Sequence, residues 1–136
     1  MKIIRKSLII FFDKSGKLLI QDRREIKKQG KPYGFFGGSI EKDETPEKAI
    51  VREVKEELSI DLDYFKLVKE LKEKDNLIDL EYYIYLANMP NVKKIDVMEG
   101  KPYFTNINDV FSLDLSDRDK SILKEVISYL KSNKII

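Results

Sequence analysis

GSIEKDETPEKAIVREVKEELSI, running from Gly38 to Ile60, is the stretch from which the rest of this chain can be read. Thr45-Pro46-Glu47 opens a helix, with Thr45 as N-cap, Pro46 at the first helical position and Glu47 in the first turn. At about 100° per residue, Ile50, Val51, Val54 and Leu58 share one arc, and Glu53, Glu56 and Glu57 share the adjoining one. The spacing predicts a helix from Pro46 to near Ser59 that buries one side and presents three carboxylates at the edge of the core. Like charges so placed repel by roughly 0.2–0.5 kcal/mol per pair on a bare helix. A cation among them would turn that repulsion into a site.

Composition narrows the chemistry. The 136 residues suit one compact domain, 1–136. Hydrophobic residues make up 42%, enough for a core, and charged residues 37%, so much of the charge must be solvated surface. The net charge of +2 argues against an obligate nucleic-acid or membrane partner. Without Cys there is no disulfide, thiolate ligand or thiol nucleophile; without His there is no imidazole base or ligand. Proton chemistry then falls to carboxylates, Lys, Tyr or metal-bound water, and a metal would be held by oxygen, which favours Mg²⁺ or Mn²⁺ over Zn²⁺. The apolar run Leu8–Phe12 is too short for a signal peptide and is followed by charge, so a strand and a cytoplasmic location are expected.

Around the central helix the pattern alternates. Ser7–Phe12 and Lys17–Gln21 read as a hairpin across the turn at residues 13–16. Asp22–Gly34 reads as a surface loop, and Phe35-Phe36-Gly37-Gly38 as a short buried strand running into a glycine bend. Phe65–Lys72 and Leu77–Ala87 read as two strands turning at residues 74–76, followed by short strands at Lys93–Met98 and Tyr103–Thr105. Asn106 or Asn108 caps a single turn through Phe111. Ser116 caps a last helix to about Lys131, striped by Ile122, Leu123, Val126, Ile127 and Leu130. Strands mixed with two or three helices give an α/β or α+β domain with one mixed sheet.

Gly38, Glu44, Arg52-Glu53, Val54, Glu56-Glu57 and Ile60 stand in the order and spacing that resemble the signature of the Nudix hydrolases. The one departure is Ser59, where the family has a second glycine. That position usually takes left-handed backbone, which costs a non-glycine residue roughly 1–2 kcal/mol. The resemblance implies an α/β/α sandwich around a mixed sheet and hydrolysis of a nucleoside diphosphate linked to another group, with divalent ions acting on the pyrophosphate. It implies Glu56 and Glu57 as main metal ligands, Glu53 as ligand or general base, and a carbonyl of Gly37 or Gly38 in the metal shell. Arg52 would orient a neighbouring glutamate, and Glu44 would hold a metal-bound water.

The resemblance extends more weakly outward. Tyr33-Gly34-Phe35-Phe36-Gly37-Gly38 is similar to the segment leading into the signature in members that cleave nucleoside triphosphates. In that subgroup Arg23 would touch substrate, Phe35 would lie under the base, Asp119 would read a base edge, and Glu99 would be a late acidic ligand or base. No proline lies between Pro46 and Pro90, as ADP-ribose-cleaving members would have, and no coenzyme A motif precedes the signature. The expected reaction is therefore Mg²⁺-dependent hydrolysis of a nucleoside triphosphate, including an oxidised one such as 8-oxo-dGTP, to the monophosphate and pyrophosphate, by a monomer or homodimer. The alternatives are cleavage of ADP-ribose, a nucleotide-sugar or a dinucleoside polyphosphate, and a non-catalytic nucleotide-binding module.

Overall fold

The computed structural model describes residues 1–26 and 30–136, so residues 27–29 of the expected Asp22–Gly34 loop lie outside it. Seven strands form one mixed sheet: β1 (Lys2–Phe12), β2 (Lys17–Asp22), β3 (Tyr33–Gly34), β4 (Phe36–Ser39), β5 (Lys66–Lys74), β6 (Ile78–Asn88) and β7 (Lys101–Asn106). Helix α1 (Pro46–Leu58) follows β4, and α2 (Asp117–Ser132) closes the chain. The order β3-β2-β1-β6-β5 runs across the sheet, with β4 also paired to β1 and β7 to β2.

β1 is the hinge of this topology. It runs parallel to β6 along its whole length, from Lys2 opposite Ile78 to Phe12 opposite Asn88. Its other edge is shared: Phe11 and Phe12 pair antiparallel with Leu19 and Leu18 of β2, whereas Lys6 to Ile9 pair antiparallel with Ser39 to Phe36 of β4. The strand starts six residues earlier than its apolar run, because the β6 ladder holds its polar half.

A strand covered on both faces reads as a continuous apolar run, and Leu8–Phe12 does so. Leu8, Ile10 and Phe12 point to a core completed by Ile122, Leu123, Val126, Ile127 and Leu130 of α2. Ile9 and Phe11 point the other way, to a core completed by Ile50, Val54 and Leu58 of α1. The sheet is thus sandwiched between two helices, as the α/β expectation required.

Two expectations are corrected. Lys93–Met98 forms no strand. Val92–Lys94 is a single 3-10 turn capped by the Asn91 side chain, and beyond it the N–H groups of Asp96 and Met98 donate to the carbonyls of Leu58 and Glu57. The segment satisfies the open end of α1 rather than joining a sheet, which a β-branched run alone does not reveal. Val51, placed in the apolar arc, is 37% exposed, while Ala49 and Glu57 are buried. The buried arc is rotated away from Val51, so the three glutamates grade from core to solvent instead of sharing one rim. The cap of the 3-10 turn Val110–Ser112 is neither Asn106 nor Asn108 but Asp109, which makes no side-chain capping bond; Asn106 Oδ1 accepts from the N–H groups of Asn108 and Asp109 in the turn just before it.

Candidate active site

The site begins where β4 meets α1. Ser7 Oγ donates to the carbonyl of Pro46 at 2.8 Å and ties the first turn of α1 to β1. Thr45 Oγ1 accepts from the N–H of Lys48, as its capping position requires. Gly37 has φ 129°, and a Cβ there would lie 2.9 Å from Leu8 Cα, so only glycine lets β4 lie this close to β1. Gly38 faces the helix: a Cβ on it would lie 2.5 Å from Glu53 Oε1. At its far end α1 stops at Ser59, which has φ 58° and donates its N–H to the Lys55 carbonyl at 3.0 Å. Serine therefore occupies the left-handed position where the signature has glycine.

Arg52 organises the carboxylates. Its Nε and Nη2 donate to Glu44 Oε2 and Oε1 at 2.8 and 3.0 Å. Its Nη1 donates to Glu53 Oε1 at 3.0 Å and reaches Glu56 Oε2 at 3.3 Å, and Nη2 also donates to the Ser39 carbonyl at 3.0 Å. Glu44 closes its own loop by accepting from the Glu41 N–H at 2.9 Å. These bonds, Arg52 first and the Glu41 N–H second, hold the Glu44 carboxyl down to about 2. Glu44, and after it Glu53, raise the Arg52 guanidinium above its ordinary value against the opposing cost of burial.

Glu57 is set apart from that network. It is 1% exposed, and its Oε1 accepts from the Gly37 N–H at 2.8 Å. Its Oε2 accepts from Gln21 Nε2 at 3.3 Å, and the same Nε2 donates to the Glu99 carbonyl at 3.0 Å. Glu99 is thus brought to Glu57 through its backbone, at the turn into β7. Gln21, read in sequence only as the end of a strand, is a functional neighbour that the motif does not name. Its one signal was a polar residue near the end of β2, two positions before Arg23.

The other expected residues gather around a small cavity of about 170 Å³ lined by Lys6, Arg23, Phe35, Tyr82, Arg118 and Asp119, among others. A larger cavity of about 760 Å³ runs along Lys2–Lys6 and the loop from Ser39 to Glu44, and shares Lys6 and Tyr82 with the first. The larger cavity is thus bordered by Glu44 of the Arg52 network and the smaller one by Arg23 and Asp119, with Lys6 and Tyr82 in the walls of both. Arg23 Nη2 donates to the Phe35 carbonyl at 2.9 Å. The Phe35 ring itself is 1% exposed and packs in the α2-side core, so its carbonyl rather than its ring meets the polar groups. Asp119 sits in the first turn of α2, where its N–H donates to Ser116 Oγ. Burial raises its carboxyl above the ordinary range, opposed by Arg23, Ser116, Arg118 and Lys6.

The oxygen donors offered to a hard cation are the carboxylates of Glu53, Glu56 and Glu57 and the carbonyls of Gly37 and Gly38. Among the described residues no three carboxylates lie close enough to share an ion as they stand, because Arg52 lies between Glu53 and Glu56 and Glu57 is turned to Gly37 and Gln21. The chemistry of the donor set nevertheless fits Mg²⁺ or Mn²⁺: every donor is oxygen, and the absence of a Cβ on Gly38 lets the Glu53 carboxylate lie against its backbone. Glu56, with 58% of its side chain exposed, lies at the solvent side of the set.

The NUDIX domain family model matches residues 3–125, which include the whole of this constellation. The chain belongs to the Nudix family. Over 72 residues it is 33% identical to an 8-oxo-dGTP diphosphatase of Escherichia coli (strain K12), a match covering 53% of this chain and 56% of that protein. The match thus spans little more than half the length of that relative. Among solved structures, a MutT NUDIX hydrolase from Burkholderia pseudomallei superposes with a TM-score of 0.74 at 22% identity, over 93% of this Nudix chain and 99% of that one. The E. coli ORF135 protein gives a TM-score of 0.76 at 22% identity, over 98% and 94% of the two chains. The E. coli dihydroneopterin triphosphate pyrophosphohydrolase gives 0.69 at 17% identity, over 92% and 97%. At these identities the superpositions establish the Nudix fold. Nudix hydrolases generally use divalent metal ions. Among the described residues, no helix is long and apolar enough to cross a membrane.

Proposed function

We propose that this chain is a Mg²⁺- or Mn²⁺-dependent pyrophosphohydrolase that cleaves a nucleoside triphosphate, including an oxidised one such as 8-oxo-dGTP, to the monophosphate and pyrophosphate. The observation that carries the reading is an adjoining pair of cavities sharing Lys6 and Tyr82, one bordered by Glu44 of the Arg52 network and the other by Arg23 and Asp119. A triphosphate end and a nucleoside end have separate places in the pair. The activity of the partly matched E. coli relative supports the same substrate class.

Glu53, Glu56, Glu57 and a carbonyl of Gly37 or Gly38 would hold the divalent ion, which when bound would neutralise phosphate oxygens and activate a water. Arg52 is held by carboxylates and the Ser39 carbonyl; it fixes Glu44 and Glu53 and keeps their mutual repulsion from splaying the loop. Glu44, held near 2, stays ionised at neutral pH and is a poor proton acceptor, so its work is to anchor Arg52 and to orient a water. Proton removal falls to Glu53 or Glu99. In the smaller cavity Arg23 faces the nucleoside and is braced by the Phe35 carbonyl. Asp119, whose carboxyl burial raises above its ordinary range, lies in the same cavity and would meet a base edge.

The test is a panel of nucleoside triphosphates, 8-oxo-dGTP, ADP-ribose, nucleotide-sugars and dinucleoside polyphosphates with Mg²⁺ or Mn²⁺, read by product identity. Pyrophosphate plus a monophosphate from a triphosphate supports the reading. Turnover of only the other compounds moves the chain to another Nudix substrate class, and binding without turnover of any compound makes it a binding module.

A further inference from the structure

We infer that Gln21 is a positioning residue that locks the metal-side carboxylate of Glu57 and the nucleoside-side guanidinium of Arg23 into one hydrogen-bonded chain. Gln21 is 0% exposed in the middle of the sheet. Its Oε1 accepts from Arg23 Nε at 2.8 Å, and its Nε2 donates to Glu57 Oε2 at 3.3 Å and to the Glu99 carbonyl at 3.0 Å. The orientation of the amide is dictated by its partners. A guanidinium only donates, and a carboxylate and a carbonyl only accept, so the flipped amide would face like with like at all three contacts.

The loop around Gln21 is shaped to it. Gly100 has φ +70°, and a Cβ there would lie 2.7 Å from the Asp22 carbonyl and 3.2 Å from Gln21 Cγ. Glycine thus lets the turn after Glu99 close on the amide, and the pairing of Gln21 with Pro102 of β7 keeps it closed. With Gly37 on one oxygen and Gln21 on the other, the Glu57 carboxylate is held at two points. Arg23 is likewise held at two points, by Gln21 and by the Phe35 carbonyl. One buried amide therefore links the Glu57 carboxylate to the Arg23 guanidinium. A carboxamide suits the position because it accepts and donates in one plane without carrying charge. An apolar residue of the same length would fill the space and break both contacts.

The inference rests on the reading of Glu57 as a metal ligand, and its test reads metal binding without substrate. Mn²⁺ affinity is measured by the paramagnetic resonance of free Mn²⁺ for the wild type and Gln21→Met, with thermal midpoints alongside. The expected result is a dissociation constant raised roughly 10- to 100-fold in the variant, as for other residues that orient metal ligands. A folded Gln21→Met protein that binds Mn²⁺ like the wild type overturns the inference. Should the variant fail to fold, the wild type decides the matter by NMR. The Gln21 side-chain amide resonances are expected to shift on titration with Mg²⁺ and again on addition of a nucleoside triphosphate, and resonances unmoved by both overturn it. The two claims separate cleanly. A wild type with Gln21-dependent Mn²⁺ binding and no triphosphate turnover sinks the proposed function alone. An active wild type whose Gln21→Met variant binds Mn²⁺ normally sinks the Gln21 inference alone.

Discussion

Arg52 grips Glu44 with two parallel bonds, Nε to Oε2 at 2.8 Å and Nη2 to Oε1 at 3.0 Å, across the loop that leads into α1. A fork of this kind needs a planar guanidinium, and lysine supplies only a point charge. Arg52→Lys is therefore expected to lower kcat by roughly 10- to 100-fold, with KM for nucleotide little changed, because Arg52 acts through carboxylates rather than on the substrate. Steady-state kinetics at saturating metal check this. An equal rise in KM would place Arg52 on the substrate instead.

The same pair gives a pH signature. Glu44 has its carboxyl lowered from 4.5 to about 2 on folding, so its contribution to stability is complete above the ordinary value and is lost as pH falls through about 2. Glu44→Gln should have a lower thermal midpoint than the wild type by a constant amount above about pH 5, and the gap should close towards pH 2. A gap that widens on acidification would mean that the pairing with Arg52 is not what holds the carboxyl down.

Much of this arrangement was legible in the chain. Thr45 and Pro46 marked the start of α1 and the apolar spacing its approximate end, and Ser59 stands in the left-handed conformation that its place after the helix implies. What was hidden depends on contacts between segments distant in sequence. Glu57 looks like one of three surface carboxylates until β4 and β2 deliver the Gly37 N–H and the Gln21 amide to it. Lys93–Met98 looks like a strand until the carbonyls at the end of α1 claim its N–H groups. Tyr33–Gly34 becomes a strand only because β2 offers it an edge at Gln21 and Asp22. Local patterns record what a segment prefers, and pairing across the sheet records what it is given.

Ser59→Gly should stabilise the protein. The wild-type residue holds φ 58°, and glycine adopts that region without the penalty of a Cβ. A gain of roughly 1 kcal/mol is expected, or about 3 °C in the midpoint for a domain of this size. Calorimetry checks it. An unchanged or lowered midpoint would show that the serine hydroxyl contributes as much as its backbone strain costs.

Gly38→Ala separates activity from stability. Its Cβ would meet the end of the Glu53 side chain at 2.5 Å, which can swing aside with little effect on the fold. Displacing Glu53 from Arg52 should cost roughly 10²-fold in turnover while the midpoint stays near that of the wild type. Gly37→Ala, placed against the β1 backbone at φ 129°, should instead lower the midpoint. The reverse pattern in paired melts and assays would contradict the packing described.

The most direct measurement is turnover of a nucleoside triphosphate by wild type and Glu57→Gln with Mg²⁺, followed by phosphorus NMR, alongside nucleotide binding without metal. The account predicts monophosphate and pyrophosphate from the wild type. It predicts a loss of roughly 10²- to 10³-fold in the variant with metal-free nucleotide affinity largely kept. Full turnover by Glu57→Gln, or release of orthophosphate in place of pyrophosphate by the wild type, would contradict it.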